Sequence, residues 1–211
     1  MGLFSRWLGI FSKLFKTKKT VKLGIYGPPN AGKTTLANRI AKDFTGEEVG
    51  KVSPIPHETR KVQTKERIEI ERNGKKLVIN LIDTPGIATK IDFEDFLKAG
   101  LKRKEAKKRA KEATEGVIEA IKWLDKMDVV LAVMDATKNP YTQVNVTILG
   151  NLEARDIPTL IVANKIDVKR ANIKKIKAAF PQYEIVPISA RTGKNMDKLY
   201  DAIFELVKKV R

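Results

Sequence analysis

The sequence has no cysteine and a single histidine, which excludes a disulfide framework, a thiolate zinc site and most other protein-ligated metal cages. No run of about 18 apolar residues occurs, so no membrane-spanning helix is expected. Negative charge is also short: 25 Asp and Glu stand against 42 Lys and Arg, a formal charge of +17 over 211 residues. Such an excess draws a protein towards polyanions, whether RNA, DNA or an acidic lipid surface, without choosing among them. A reducing, cytosolic setting fits the missing cysteine. The length suits one domain with a substantial core and a modest extension.

What is present is an alternation of strand and helix patterns from residue 21 onwards, which predicts an α/β sandwich with a mostly parallel sheet. Strands are expected at Lys22 to Tyr26, Glu66 to Arg72, Lys75 to Ile82, Val129 to Met134, Thr159 to Ala163 and Glu184 to Ile188. Asn73-Gly74 tolerates positive φ and predicts a tight antiparallel hairpin between the second and third. Helices are expected from Lys33 to Asp43, around 141 to 155 and 170 to 179, and from Met196 to Val210. Residues 44 to 64 read as a loop because they lack a period and carry Gly46, Gly50, Pro54 and Pro56. Between Gly86 and Val129 a long helical region is expected, with Ala106, Ala110, Ala113, Val117, Ile121 and Leu124 on one face.

Chemistry enters with Gly27-Pro28-Pro29-Asn30-Ala31-Gly32-Lys33-Thr34, which fits G-x-x-x-x-G-K-[ST] directly after a strand and at the opening of a helix. The backbone N–H groups of such a loop and the helix N-terminus surround phosphates. Lys33 is expected to reach the β- and γ-phosphates and the Thr34 hydroxyl to bind Mg²⁺, with Thr35 beside it in the same turn. Asp83-Thr84-Pro85-Gly86 follows an apolar strand; alone it reads equally as a strand-ending turn. Beside a phosphate loop, Asp83 can hold the Mg²⁺ shell and the Gly86 N–H can meet a γ-phosphate. Asn164-Lys165-Ile166-Asp167 ends another strand, and the Asp167 carboxylate can accept both N1–H and N2–H₂ of guanine, a pair adenine does not present. Asn164 would brace this loop, Lys165 lie over the base, and Ser189-Ala190 complete the base pocket.

In this order GPPNAGKT, ETR, DTPG, NKID and SAR resemble the motifs of the Ras-like GTPases, and more narrowly those of the Era-related branch, where a P-N dipeptide in the phosphate loop and a Thr-Arg pair in the first switch are common. The resemblance covers about residues 21 to 210 and does not extend to the RNA-binding KH domain that Era carries after its G domain. It implies a three-layer P-loop NTPase G domain over residues 21–211, with a six-stranded, mostly parallel sheet and one antiparallel hairpin edge. It also implies hydrolysis of GTP to GDP with Mg²⁺ and slow intrinsic turnover. Thr59 would be the first-switch Thr that joins Thr34 and Asp83 at Mg²⁺, and Lys33, Thr59, Gly86 and Asn30 would carry the catalytic roles. Many Ras-like enzymes place a water-orienting Gln after the DTPG-type motif, but Ile87 stands here. Some Era-like relatives with an apolar residue at this point use K⁺ held partly by an Asn equivalent to Asn30, so Asn30 is expected either to help K⁺ neutralise charge or only to stabilise the loop. His57, a lone loop histidine with no identifiable carboxylate partner, reads as solvated rather than as a general base.

Two additions depart from a minimal G domain. In residues 1–20, Leu3, Phe4, Trp7, Leu8, Ile10, Phe11, Leu14 and Phe15 share an arc of about 160° at helical spacing. Arg6, Lys13 and Lys16 break the stretch and no small-residue cleavage site follows, so it is not expected to be a secretory signal. The segment resembles the amphipathic N-terminal helix of Arf-family GTPases, though Arg6 defeats the myristoylation pattern begun by Gly2. Residues 3–19 are therefore expected at an anionic membrane surface on the cytoplasmic face, with docking on the G domain or on a partner as the other outcomes. The second addition is a basic helical insertion at about 90–112, dense in Lys and Arg from Lys98 to Lys111, expected as a solvated face or a contact for rRNA or another polyanion. A membrane-associated switch is thus the first reading of function and a ribosome-assembly GTPase the alternative. A phosphate-loop ATPase or kinase is disfavoured by NKID. Regulatory proteins and a GTP-dependent dimer remain open.

Overall fold

The computed structural model describes residues 20–49, 61–72, 75–87 and 93–210. Residues 1–19, the first-switch residues His57 and Thr59, and the Asn73-Gly74 turn lie outside the described residues.

Six strands form one sheet: β1 (Val21–Tyr26), β2 (Gln63–Arg72), β3 (Lys75–Asp83), β4 (Val129–Asp135), β5 (Thr159–Asn164) and β6 (Ile185–Pro187), in the order β2-β3-β1-β4-β5-β6. Only β2 and β3 pair antiparallel; the other neighbours are parallel. The expected mostly parallel sheet with one antiparallel hairpin is what the chain forms, and the Arg72↔Lys75 register leaves two residues to connect the pair. Between the strands run α1 (Lys33–Thr45), α2 (Phe93–Lys98), α3 (Arg103–Leu124), α4 (Gln143–Glu153), α5 (Ile173–Ala179) and α6 (Met196–Val207).

Strands β1, β4 and β5 are nearly continuous apolar runs because both of their faces are covered. Leu23, Ile25, Leu131, Val133, Leu160 and Val162 point to one face and pack under α1 and α6. Their neighbours on the opposite face meet α3, α4 and α5: Tyr26, Ile82 and Val130 with Ala120, Leu124 and Leu152, and Ala132, Ile161 and Ala163 with Leu149, Ile176 and Phe180. This period-two sorting makes three layers. The Tyr26 hydroxyl, buried inside the second layer, donates to the Ala120 carbonyl at 3.0 Å and so ties β1 to α3.

At the sheet edge, β2 alternates buried Ile68 and Ile70 with exposed Glu69 and Glu71, which discourages pairing with another chain. A bulge interrupts it between Lys65 and Ile68. Arg67 takes a positive φ of 54° there, and its N–H donates to Asn80 Oδ1 at 2.9 Å in place of the lost ladder bond.

The long helical region expected after Gly86 is corrected to two helices. Lys98 ends α2, Lys102 precedes α3, and Gly100 lies between them at φ 89°, a conformation that costs a residue without a side chain little. Gly100 N–H donates to Leu97 O and Leu101 N–H to Phe96 O, closing the end of α2. The apolar face of α3 consequently divides. Ala106, Ala110 and Ala113 pack on Phe96 and Leu101 in a small cluster of their own, whereas Val117, Ala120, Ile121 and Leu124 join the sheet. Two ends are also shorter than their patterns suggested: α6 stops at Val207 and β6 covers only Ile185–Pro187.

Leu131 is fully buried at the centre of β4, between Ile25 of β1 and Leu160 of β5. Leu131→Ala is expected to cost about 2–5 kcal/mol of stability by leaving a cavity that rigid neighbours cannot fill. Urea unfolding of the two proteins measures it; a loss well under 1 kcal/mol would mean that β4 is not the central strand.

Candidate functional site

All the motif segments within the described residues emerge at the carboxyl ends of β1, β3, β5 and β6. Beta1 is where the chain order turns, with β3 on one side and β4 on the other, the place where open α/β sheets present a crevice.

The loop after β1 is held against the sheet by backbone proximity. A Cβ on Gly27 would stand 2.3 Å from the Val133 carbonyl oxygen, so only glycine lets the chain leave β1 here. Gly32 adopts φ 93° and a Cβ there would lie 2.4 Å from Asn164 Nδ2. It is also the N-cap of α1 and supplies no side-chain acceptor, which leaves the first-turn amides and the helix dipole facing the loop. Pro28 O accepts a bond from Lys33 Nζ at 3.0 Å. Burial pushes the Lys33 ammonium down to about 8, while the nearby Asp83 pulls it back up. An anion in the loop would favour the charged form further. Thr35, in the same turn as Lys33 and Thr34, is partly exposed.

Asp83 ends β3 completely buried, and Thr34 Oγ1 donates to its Oδ2 at 2.7 Å. Its other oxygen, Oδ1, is buried without a hydrogen-bond partner. Burial raises the Asp83 carboxyl above its ordinary range, against the opposing pulls of the Thr34 bond and the Lys33 charge. A hydroxyl and a carboxylate with an orphaned oxygen suit Mg²⁺, a hard cation that takes oxygen ligands and fills the rest of its shell with water and phosphate. Thr84 Oγ1 donates to Ile25 O at 2.7 Å and fastens the segment to β1. Gly86 then runs so close to the loop that a Cβ would be 2.9 Å from Pro29 Cα, and Ile87 N–H donates to Gly27 O at 3.2 Å. The Ile87 side chain turns into the core beside Tyr26 and Ile82.

Asn164 joins three segments. Its Nδ2 donates to Ala31 O at 2.9 Å, and its Oδ1 accepts from Lys165 N at 2.8 Å and Ala190 N at 3.0 Å. Lys165, at φ 70°, sends Nζ back to Asn30 O at 2.6 Å and to Asp135 Oδ2 at 2.8 Å. Asn30 is itself exposed at φ 60°. Hydrogen bonding from Ser189 is the main cause that holds the Asp167 carboxyl below its ordinary range, outweighing burial and helped by Arg191, whose Nη2 lies 2.7 Å from Asp167 Oδ2. Ser189 is buried and its Oγ accepts from Thr192 N at 3.2 Å.

The folding therefore brings Gly27, Pro28, Pro29, Asn30, Ala31, Gly32, Lys33, Thr34, Asp83, Gly86, Asn164, Lys165, Ser189 and Ala190 into one connected crevice, with Asp167 at its rim through Ser189 and Arg191. Motif reading missed Asp135 and Arg39. Asp135 closes an apolar strand as Asp83 and Asn164 do, a signal that was available; it receives Lys165 and two bonds from Thr137, which outweigh burial and hold its carboxyl low. Arg39, one turn beyond the phosphate end of α1, donates to Ala190 O and Arg191 O at 3.2 and 2.9 Å and shapes the last loop. No sequence pattern marks it. A separate cavity of about 590 Å³ lies at the opposite, amino-terminal edge of the sheet among Asp128, Arg155, Pro158, Tyr183 and Lys209, and no motif residue lines it.

A raised carboxyl pKa means that ionised Asp83 opposes folding at any pH above its unfolded value; the neutral isostere removes that cost. Asp83→Asn is thus expected to leave the metal-free protein at least as stable as the parent while losing the Mg²⁺-dependent part of nucleotide binding. Thermal melts with and without Mg²⁺ and nucleotide test both halves. A metal-free variant that melts lower, or one that keeps its Mg²⁺ response, contradicts this account.

Comparison with known proteins agrees with the geometry. A family model described as 50S ribosome-binding GTPase matches residues 22–165. GTPase Era of Geotalea daltonii is 31% identical over 190 residues, covering 88% of this chain and 54% of the relative. GTPase Era of Rickettsia bellii is 32% identical over 197 residues, covering 90% and 57%. Among solved structures, Era bound to MgGDPNP and a segment of 16S ribosomal RNA superposes with a TM-score of 0.67 at 28% identity, over 89% of this chain and 57% of that one. An Aquifex aeolicus Era variant bound to GDP and AlF4⁻ gives a TM-score of 0.66 at 28% identity, over 92% and 57%. The chain spans a little over half the length of these relatives.

Proposed function

The chain belongs to the Era-like branch of the P-loop GTPases, and from that membership we propose that it binds GTP with Mg²⁺, hydrolyses it slowly to GDP, and works as a switch whose output is contact with ribosomal RNA. The observation that carries the reading is the joining of a phosphate loop and a guanine-reading loop through Asn164.

On this reading the amides of residues 28–34 and the Lys33 ammonium neutralise the β- and γ-phosphates, and the Gly86 N–H holds the γ-phosphate when the DTPG segment lies against the loop. Thr34 and Asp83 and, in the GTP state, Thr59 would hold Mg²⁺, which would supply positive charge to offset that developing as the γ-phosphoryl is transferred to water. Asp167 selects guanine by accepting two donors from its edge, and Ser189 keeps that carboxylate ionised and aimed. Lys165 covers the base while its ammonium is anchored by Asp135 and by the phosphate loop. The Ile87 side chain is buried and takes no part in placing water. The exposed Asn30 side chain in the phosphate loop would hold K⁺, which would supply positive charge that Ile87 cannot replace.

The ribosomal part of the proposal is supported by the Era complex with 16S ribosomal RNA and by the chain's charge of +17. The membrane reading rests on residues 1–19 alone; among the described residues no helix is long and apolar enough to cross a bilayer.

Asp167→Asn is expected to weaken GTP binding by about a hundredfold and to give xanthosine triphosphate, which presents an acceptor where guanine presents N2–H₂, the advantage. Competition binding of the two nucleotides reads this directly, and a variant that still prefers GTP would remove Asp167 as the base reader. Hydrolysis is expected to run about tenfold or more faster in K⁺ than in Na⁺ at equal ionic strength, with Asn30→Ala losing the difference. Equal rates in the two salts would take Asn30 out of the mechanism.

A further inference from the structure

The RNA reading leaves open which surface meets the RNA. We propose that the outer face of α3, carrying Lys104, Lys107, Lys108 and Lys111, grips the phosphate backbone of double-helical RNA; the inference rests on the RNA reading above and deepens it.

Ala106, Ala110 and Ala113 face Phe96 and Leu101, and this small cluster sets the rotation of the first three turns. With that face fixed, Lys104, Lys107, Lys108 and Lys111 can only point outwards, and all four are exposed. Their spacing of three, four and seven residues puts them on one side of the helix, in a stripe about 10 Å long. Other basic residues of the region, Lys98, Arg103 and Arg109, have partners within the protein and are left out of the stripe.

The acidic groups close to the stripe do not cancel it. Glu105 is exposed at its near end, and Glu112 and Glu115 lie 4.0 Å from Lys108 and Lys111. The two lysine side chains keep 77% and 80% of their exposure in these pairs, so each contact holds little and gives way to a phosphate with two or three acceptor oxygens.

The same geometry decides the class of partner. A helix that lies in a bilayer interface must offer its apolar face to the acyl chains. The apolar face of α3 is already covered, its alanines by α2 at one end and Val117, Ile121 and Leu124 by the sheet at the other, and Ile118 is the one large apolar side chain that α3 leaves exposed. What remains is a row of ammonium groups with no aromatic residue to stack on an unpaired base. Double-helical RNA is recognised through phosphates and shape, with its bases turned inwards, and that is the chemistry such a row can read. Single strands would need stacking platforms that this face lacks.

The test uses the full chain with a non-hydrolysable GTP analogue and a fluorescent 20-base-pair RNA, followed by anisotropy across a range of KCl. The variant Lys104→Gln, Lys107→Gln, Lys108→Gln, Lys111→Gln is compared with a charge-matched control on α5 and α6: Lys174→Gln, Lys175→Gln, Lys177→Gln, Lys198→Gln. Each lost phosphate contact should lower the slope of log affinity against log salt by roughly 0.9, so the α3 variant, losing four, should lose about 3.6 in slope and about 30-fold or more in affinity at about 100 mM salt. The control should keep the parent slope, and both variants should bind the GTP analogue as the parent does, which verifies that they are folded. An α3 variant that keeps its slope while the parent binds RNA overturns the surface assignment and leaves the RNA reading standing. Equal losses in both variants overturn it too, since net charge alone would then explain binding. A parent that binds no RNA removes the RNA reading itself. If anionic phosphatidylserine vesicles, rather than RNA, lose affinity for the α3 variant, the stripe belongs to lipid and the proposal fails.

Discussion

The Asn164 side chain is the contact on which the whole crevice turns. One primary amide has one donor and one acceptor end within reach, and here both are used against backbone: the phosphate loop at Ala31, its own loop at Lys165 and the last loop at Ala190. Three segments far apart in sequence are thereby set at fixed distances, within a buried site where an unmade hydrogen bond would cost about 1–3 kcal/mol. The constraint reaches further, because Asn164 Nδ2 comes so near Gly32 that no larger residue fits there. Gly32 in turn begins α1 with its amides turned towards the loop. The loops proposed to read base and phosphate are consequently one connected arrangement rather than two sites that happen to adjoin.

Around that contact the sheet follows a simple rule. Strands buried on both faces are largely apolar, so a polar residue closing such a strand sits where the chain leaves the core. Asp83, Asp135 and Asn164 are each the last residue of their strand, where the chain leaves the core, and each is buried. Their polar atoms need partners that the sheet does not supply, and the loops at this edge supply them: Thr34 for Asp83, Thr137 and Lys165 for Asp135, and backbone groups for Asn164. The crevice is therefore where the polar remainder of the sheet is satisfied, and the proposed nucleotide would add to a network already formed. The opposite edge carries the cavity beside Asp128 and Tyr183 but none of these strand-ending groups.

How far this was legible in the sequence depended on whether a local pattern carried the information. The strands, the phosphate loop and the base loop were readable because glycine spacing and apolar runs are local. The division of the helical region into α2 and α3 was not, since Lys, Glu and Ala continue a helical pattern across the break and only Gly100 hints at it. Arg39 was invisible for a different reason: a basic residue on a helix looks the same whether it faces solvent or, as here, bonds loop carbonyls more than 150 positions away. Asp135 could have been found by applying the strand-end rule uniformly. Its role beside Lys165 depends on the register of β4 with β5, which pairs Asp135 with Asn164.

The two halves of the crevice differ in how complete they are by themselves. In the base half, the amide of Asn164 is satisfied at both ends, Lys165 has two acceptors and Asp167 has Arg191. In the phosphate half, burial lowers the Lys33 ammonium to about 8 and Asp83 keeps an oxygen without a partner. A buried carboxylate in that condition subtracts from stability until a cation reaches it. Ligand binding must therefore stabilise the phosphate half more than the base half, because any ligand that completes only one state of a protein shifts its equilibrium towards that state. The segment that feels the shift first is the one bonded to both: Thr84 and Ile87 fasten the DTPG stretch to β1 and Gly27, and Gly86 touches Pro29. A fold otherwise settled by packing is thus left unfinished at the Thr34–Asp83 pair, and on the proposed function it is there that a γ-phosphate would be converted into a difference in backbone position.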